Sequence, residues 1–202
     1  MTHDAIIIGA GPAGSTAALL LARAGWSVAV VERKAFPRRK VCGEYLSATN
    51  LPLFDRLGVG KRFRELAGPP VRSVGLFAST SIVCAELPRP ANCEWGRALS
   101  REHLDTWLRD QASAAGATLL QPWTVSDVTR EGALHICQAR SLETTECRSI
   151  AAPLLIAAHG SWDVGNLPTQ HRRHSQASDD LLAFKAHFVN ADLPEGLMPL
   201  LA

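Results

Sequence analysis

The sequence predicts an α/β fold in which a parallel sheet with covering helices is joined to part of a second, mostly antiparallel sheet. Three observations carry this. Two β-branched apolar runs, residues 5–9 and 27–32, flank an Ala- and Leu-rich stretch at 12–24, which is the order of a βαβ unit. Residues 71–87 instead alternate in polarity about a short turn. A late apolar run, 153–158, again stops at a glycine, Gly160, as the first run stops at Gly9.

Taken in order, Ala5-Ile6-Ile7-Ile8-Gly9 is uninterrupted by polar residues, as strands buried on both faces are. Pro12 suits a first helical turn and Gly25 a helix stop, so 12–24 is read as a helix. Ser27 to Glu32 completes the βαβ unit. Helices are expected near Ser47–Leu57 and Lys61–Leu66, and two antiparallel strands at 71–77 and 81–87, joined through Ser79-Thr80. Ser100 caps a helix whose apolar face is Leu104, Trp107, Leu108, Ala112 and Ala115, ending at Gly116. Strands follow at 118–128, 133–139, 145–150 and 153–158. Asp163 to Ser178 reads as a polar linker and Leu181 to Val189 as a strand joining 71–87. The expected division is a discontinuous first domain, 1–70 with 97–165, and a partial second sheet, 71–96 with 179–202.

Composition narrows the function. Hydrophobic residues at 47% and charged residues at 20% describe a folded globular chain. With 21 basic and 19 acidic residues, the net charge of +2 makes no field for nucleic acid or anionic lipid. Five cysteines, Cys42, Cys84, Cys93, Cys137 and Cys147, form no C-x-x-C pair and fit neither a disulfide framework nor a zinc site. His171 and His174 stand in the polar linker without a third ligand, so no metal is expected. There is no secretory leader pattern and no apolar run of membrane-spanning length, and the expected location is cytoplasmic.

The chemistry is concentrated between the first strand and the first helix. Gly9-Ala10-Gly11-Pro12-Ala13-Gly14 is a G-x-G-x-x-G in the strand–turn–helix context that gives the pattern its meaning, a Rossmann-like dinucleotide site. Gly9 permits the tight turn, Gly11 removes a Cβ where a pyrophosphate approaches, and Gly14 lets the helix pack against the sheet. The helix start then offers N–H donors and the positive end of its dipole. Glu32, at the end of the second strand, is placed to accept hydrogen bonds from the adenosine ribose, and its charge opposes the 2′-phosphate of NADP. The glycines alone leave FAD and NAD both open.

The run Ile6 to Ser15, continuing through Leu21-Ala22, Gly25 and Val30-Val31-Glu32-Arg33, resembles the opening of FAD-dependent oxidoreductases related to geranylgeranyl reductases and aromatic-ring hydroxylases. That resemblance implies FAD as cofactor, with Gly9, Gly11, Pro12, Ala13, Gly14, Glu32 and Arg33 among its binding residues. Arg39-Lys40-Val41-Cys42-Gly43-Glu44 is similar to the Cys-Gly segment of the reductase branch. This implies that Lys40, with Arg39, offsets phosphate charge and that Cys42 is a catalytic candidate. Arg101, in Ser100-Arg101-Glu102-His103-Leu104-Asp105, matches an arginine that helps bind FAD, and Val125 matches a position whose backbone meets the adenine. In Leu155-Ile156-Ala157-Ala158-His159-Gly160, His159 replaces the aspartate of the hydroxylases' G-A-D-G segment.

The function so implied is transfer of a hydride, by way of FAD, from a reduced electron donor to an organic, apolar small molecule. The alternatives are an FAD-dependent monooxygenase and an inactive FAD- or NAD-binding remnant. The family's second G-D motif is not found before Ala202, which reads as C-terminal truncation. Substrate, donor and oligomeric state are not legible in the sequence.

Overall fold

A computed structural model describes residues 1–88, 94–160, 165, 167, 169–170, 185–190 and 192–201. In chain order the elements begin with β1 (Ala5–Ile8), α1 (Pro12–Arg23), β2 (Val28–Val31) and β3 (Tyr45–Leu46). After a 3-10 turn at Ala48–Asn50 come α2 (Leu51–Arg56), α3 (Gly60–Leu66), β4 (Ser73–Ala78), β5 (Ser81–Glu86) and β6 (Arg97–Ala98). The remainder is α4 (Arg101–Ala114), β7 (Thr118–Leu120), β8 (Trp123–Glu131), β9 (Leu134–Ser141), β10 (Cys147–Ala152), β11 (Leu154–Ala157) and β12 (Leu197–Leu201). The chain divides into two compact units, Met1–Lys40 with Arg101–Leu182, and Val41–Ser100 with Ala183–Ala202.

The first unit is built on a four-stranded parallel sheet of order β11-β1-β2-β7. Every residue of β1 and β2 is buried, as their unbroken apolar composition requires of strands covered on both faces. Alternation decides what each face touches. Ile6, Ala29 and Val31 join Leu120, Trp123, Cys137, Ala139, Ile150 and Ala152 in one buried cluster against the antiparallel sheet β10-β9-β8. The opposite face, represented by Val30 and Leu119, meets Ser15 of α1 and Ala112 of α4. The helices also pack on each other.

Several expectations change here. The single strand expected at 118–128 is two strands in two sheets, β7 in the parallel one and β8 in the antiparallel one. The break falls at Gln121-Pro122, where proline has no N–H to give to a ladder. In α4, Leu104, Leu108 and Ala112 are buried as expected, whereas Trp107 is half-buried and Asp105 takes a place in the buried stripe.

The second unit holds a three-stranded sheet of order β12-β4-β5 and the two-stranded β3-β6 pair. Ser79-Thr80 forms the β4–β5 turn, with Ser79 at φ 52°. The parallel neighbour of β4 is Leu197–Leu201 and not the expected 181–189. Residues 185–189 are described and are not a strand; Lys185 and His187 both engage Glu44. Residues 181–184, most of the expected linker including His171 and His174, and Cys93 lie outside the described residues. The domain boundary also moves. Residues 41–70 group with the second unit, where they are stitched to 96–100 through β3–β6 pairing and the bonds Gly68 N–H to Ala98 O (2.9 Å) and Leu99 N–H to Glu44 O (3.0 Å). No described helix is long and apolar enough to cross a membrane.

Cys137 lies at the centre of the core with no exposed surface, and burial pushes its thiol up to about 11. Cys84 and Cys147 are exposed. Iodoacetamide at pH 8 is therefore expected to label Cys84 and Cys147 in the native chain and Cys137 only after denaturation, as read by peptide mass spectrometry. Labelling of Cys137 at a comparable rate in the native chain would contradict this packing.

Candidate functional site

A cleft of about 370 Å³ opens in the first unit where β1, β2 and β11 end and α1 begins. Its floor is made by glycines that leave no room for alternatives. Gly9 turns the chain at φ 104°, and a Cβ there would lie 2.4 Å from Ala158 O. A Cβ at Gly14 would lie 1.9 Å from Gly9 O, so α1 touches the sheet backbone directly. Gly11 differs: a Cβ there would meet only the Arg38 guanidinium, at 3.8 Å. Its missing side chain keeps space open at the helix start.

Gly11 is the N-cap of α1, in extended conformation, and gives its first turn no side-chain acceptor; Pro12 occupies N1. The turn is held from behind by Ser15, which is buried and donates its hydroxyl to Ala10 O at 2.9 Å. Ser15 stands one residue past the last glycine of the G-x-G-x-x-G, and its hydroxyl is the local sign of this role in the sequence.

Glu32 directly follows β2 and is 5% exposed. Its Oε2 accepts from Ala10 N–H at 2.7 Å and its Oε1 from Lys34 N–H at 2.8 Å. Two amides thus aim the carboxylate, and since an ionised carboxylate has about four acceptor sites, further donors can still be accepted. On the facing helix Asp105 is 1% exposed and receives a bidentate fork from Arg101, Nε at 2.6 Å and Nη2 at 2.8 Å. Arg38 stands between the two acids, with Nη2 3.6 Å from Asp105 Oδ2 and 4.0 Å from Glu32 Oε2. Its guanidinium lies over the Phe36 ring at 4.8 Å.

The structure brings Gly9, Gly11, Pro12, Ala13, Glu32, Arg33, Lys40, Arg101 and Val125 together on the cleft wall. Gly14 lies beneath it as packing. Val125 sits where β8 slips register against β9, between Val125 and Asp127, an irregularity of the kind that re-aims a strand beside a site. Arg39, paired with Lys40 in the expectation, is largely solvent-exposed and 3.4 Å from Glu102; its neighbour Arg38 takes the inward position. Lys40 reaches the opposite wall beside Gly160. His159 lines the same wall, its ring nitrogens within 3.1 Å of Gly160 O and 2.9 Å of Thr169 Oγ1. Among the described residues Arg33, Lys34, Arg38, Lys40 and Arg101 outnumber the one lining acid, Glu32, so the cleft favours an anion.

Cys42 belongs to the second unit. It is half-buried, and its Sγ accepts from Glu44 N–H at 3.4 Å. Glu44 adopts φ 60°, is ion-paired to Lys185 Nζ at 2.5 Å and lies within hydrogen-bond distance of His187 Nε2 at 3.2 Å. Among the described residues no group of three His, Cys, Asp or Glu side chains is arranged to hold a metal.

Comparison with known proteins sets this geometry in a family. The FAD binding domain family matches residues 2–197. Menaquinone reductase of Mycobacterium tuberculosis is 32% identical over 151 residues, covering 73% of this chain and 36% of that protein. Geranylgeranyl diphosphate reductase of Rhodobacter capsulatus is 31% identical over 165 residues, covering 80% of this chain and 38% of that protein. The crystal structure of a flavoprotein/dehydrogenase from Cytophaga hutchinsonii has a TM-score of 0.66 and 26% identity, across 78% of this chain and 39% of its own. The chain spans little more than a third of the length of these relatives.

Two expectations follow from the geometry. Gly14→Ala is expected to lower stability by about 2 kcal/mol or more, because Gly9 O must move; urea unfolding measures it. Glu32→Gln keeps the shape but loses the charge, and is expected to weaken ADP binding roughly tenfold by titration calorimetry. Unchanged affinity would remove Glu32 from the site.

Proposed function

The chain belongs to the FAD binding domain family, a family of FAD-dependent oxidoreductases and monooxygenases, and we propose that its cleft holds the ADP half of FAD. The observation that carries this is the convergence on one cleft of the uncapped start of α1, the amide-aimed Glu32 carboxylate and five basic side chains. The donor set suits the group. The N–H groups at the start of α1 would hold the diphosphate, Lys40 and Arg101 would add charge, and Glu32 would accept from the ribose hydroxyls. Thr124 and Val125, at the slipped register of β8, line the same cleft and would hold the adenine, and the volume is at the lower end of the range for ligand clefts, which suits one half of a dinucleotide.

The activity we infer is transfer of a hydride from a reduced donor to an organic, apolar substrate, geranylgeranyl reductase-like. FAD supplies the two-electron hydride chemistry when bound. The chain's own residues bind and orient it and keep its phosphate charge compensated. Two relatives named for reduction of menaquinone and of geranylgeranyl diphosphate support an apolar isoprenoid-like substrate. The replacement of an aspartate by His159 favours reduction over hydroxylation. Cys42 is the proposed proton-handling residue, with Glu44 N–H hydrogen-bonded to its sulfur.

Purified protein is expected to be yellow, with the two flavin absorption bands, and to release FAD on denaturation. Anaerobic reduction followed by reoxidation with an isoprenoid alkene or quinone supports the reductase reading. Reoxidation by oxygen with hydroxylated product moves the assignment to a monooxygenase. Colourless protein that binds ADP but takes up no FAD overturns the oxidoreductase activity.

A further inference from the structure

Arg38 stands on the cleft wall with hydrogen-bonding capacity that its neighbours do not use. Its Nε is buried and has no hydrogen-bond partner among the described residues. Its Nη2 approaches two buried carboxylates, at 3.6 Å and 4.0 Å, yet both separations exceed a hydrogen bond. A buried, unsatisfied donor on a permanent cation is costly, and structures keep one where something else completes it. Among the described residues outside Gly11's own chain neighbours, the same guanidinium alone lies within 4 Å of the position a Cβ at Gly11 would take, so it faces the space in front of the α1 start. Phe36 supports it from behind at 4.8 Å.

Asp105 explains why Arg38 is held there. It is 1% exposed, on α4, and nothing in an amphipathic helix calls for a carboxylate in the buried stripe. Arg101 neutralises it through a bidentate fork one turn away, and Arg38 approaches its Oδ2 from the loop after β2. One carboxylate therefore gathers two arginines from separate parts of the chain onto one wall of the cleft.

We propose that Arg38 is an anion-binding residue of the cleft, completing its hydrogen bonds on the diphosphate, and that Asp105 is a positioning residue that sets Arg38 and Arg101 for it. The inference rests on the reading of the cleft as a nucleotide site and goes beyond it by assigning these two residues. It also makes a prediction of unusual sign. On simple Coulomb grounds, removing a buried negative charge beside an anion site tightens anion binding. A positioning role predicts the reverse.

The test titrates the wild-type chain, Arg38→Gln, Arg38→Lys, Asp105→Asn and Glu32→Gln with inorganic pyrophosphate, ADP and adenosine, with thermal unfolding as the control for folding. Arg38→Gln is expected to weaken pyrophosphate and ADP roughly ten- to hundredfold and leave adenosine unchanged. Arg38→Lys, which keeps the charge but loses the planar fork, is expected to fall between. Asp105→Asn is expected to weaken pyrophosphate as well, and a lower salt dependence is expected to accompany the loss in Arg38→Gln. Wild-type affinity in Arg38→Gln overturns the assignment of Arg38, and tighter pyrophosphate binding by Asp105→Asn overturns the positioning role. Should Asp105→Asn fail to fold, the two Arg38 variants decide the anion-binding role, and Asp105→Glu, with salt-dependent binding as its readout, decides positioning. A wild-type chain that binds neither ADP nor FAD instead sinks the reading of the cleft itself.

Discussion

The first turn of α1 can stand at the mouth of the cleft because nothing separates it from the sheet. Helix and strand meet backbone to backbone at Gly14 and Gly9, where even a methyl group would lie inside van der Waals contact. This constraint sets the rest. It brings the start of the helix to the ends of β1 and β2, and it leaves Ala10 N–H where the Glu32 carboxylate can receive it. Ser15 secures the loop from its buried side. The same contact that packs the fold thus orients both the first-turn amides of α1 and the Glu32 carboxylate at the cleft, so packing and site geometry cannot be varied separately.

Charge is organised around that contact by two buried acids with different duties. Glu32 is aimed by backbone amides and keeps acceptor capacity toward the cleft. Asp105 spends its oxygens on arginines and is turned inward. A buried carboxylate is unfavourable unless its partners are well placed, and the bidentate geometry of Arg101 provides that. The surplus of basic side chains over lining acid then falls where an anionic ligand would sit, although the whole chain is nearly neutral. Net charge was a poor guide to this site because the field is made locally, by five residues lining one cleft.

The second unit shows how locally persuasive patterns mislead about partners. Residues 181–189 carry alternating apolar character, but β4 pairs with Leu197–Leu201, whose entry is prepared by the turn at Gly196 (φ 80°) and the bond from Arg72 N–H to Gly196 O at 2.8 Å. Likewise 41–70 follows directly on the βαβ unit yet joins the second unit through hydrogen bonds to 96–100. Pairings across tens of residues leave no periodic trace in either partner.

What the sequence determined by itself was everything local: the strand–glycine–helix–strand succession with Glu32 at its end, the hairpin about Ser79-Thr80, and the helix beginning at Arg101. These depend on residues within one or two turns of each other, where backbone preference and apolar period act directly. Only the tertiary structure decided that Arg38 and not Arg39 enters the cleft, that Asp105 replaces Trp107 in the buried stripe of α4, and that β7 and β8 part company at Pro122. Each depends on which distant group arrives opposite. A side chain's direction and a buried charge's neutralisation are properties of the pair, and a single residue in a linear string carries no record of its partner.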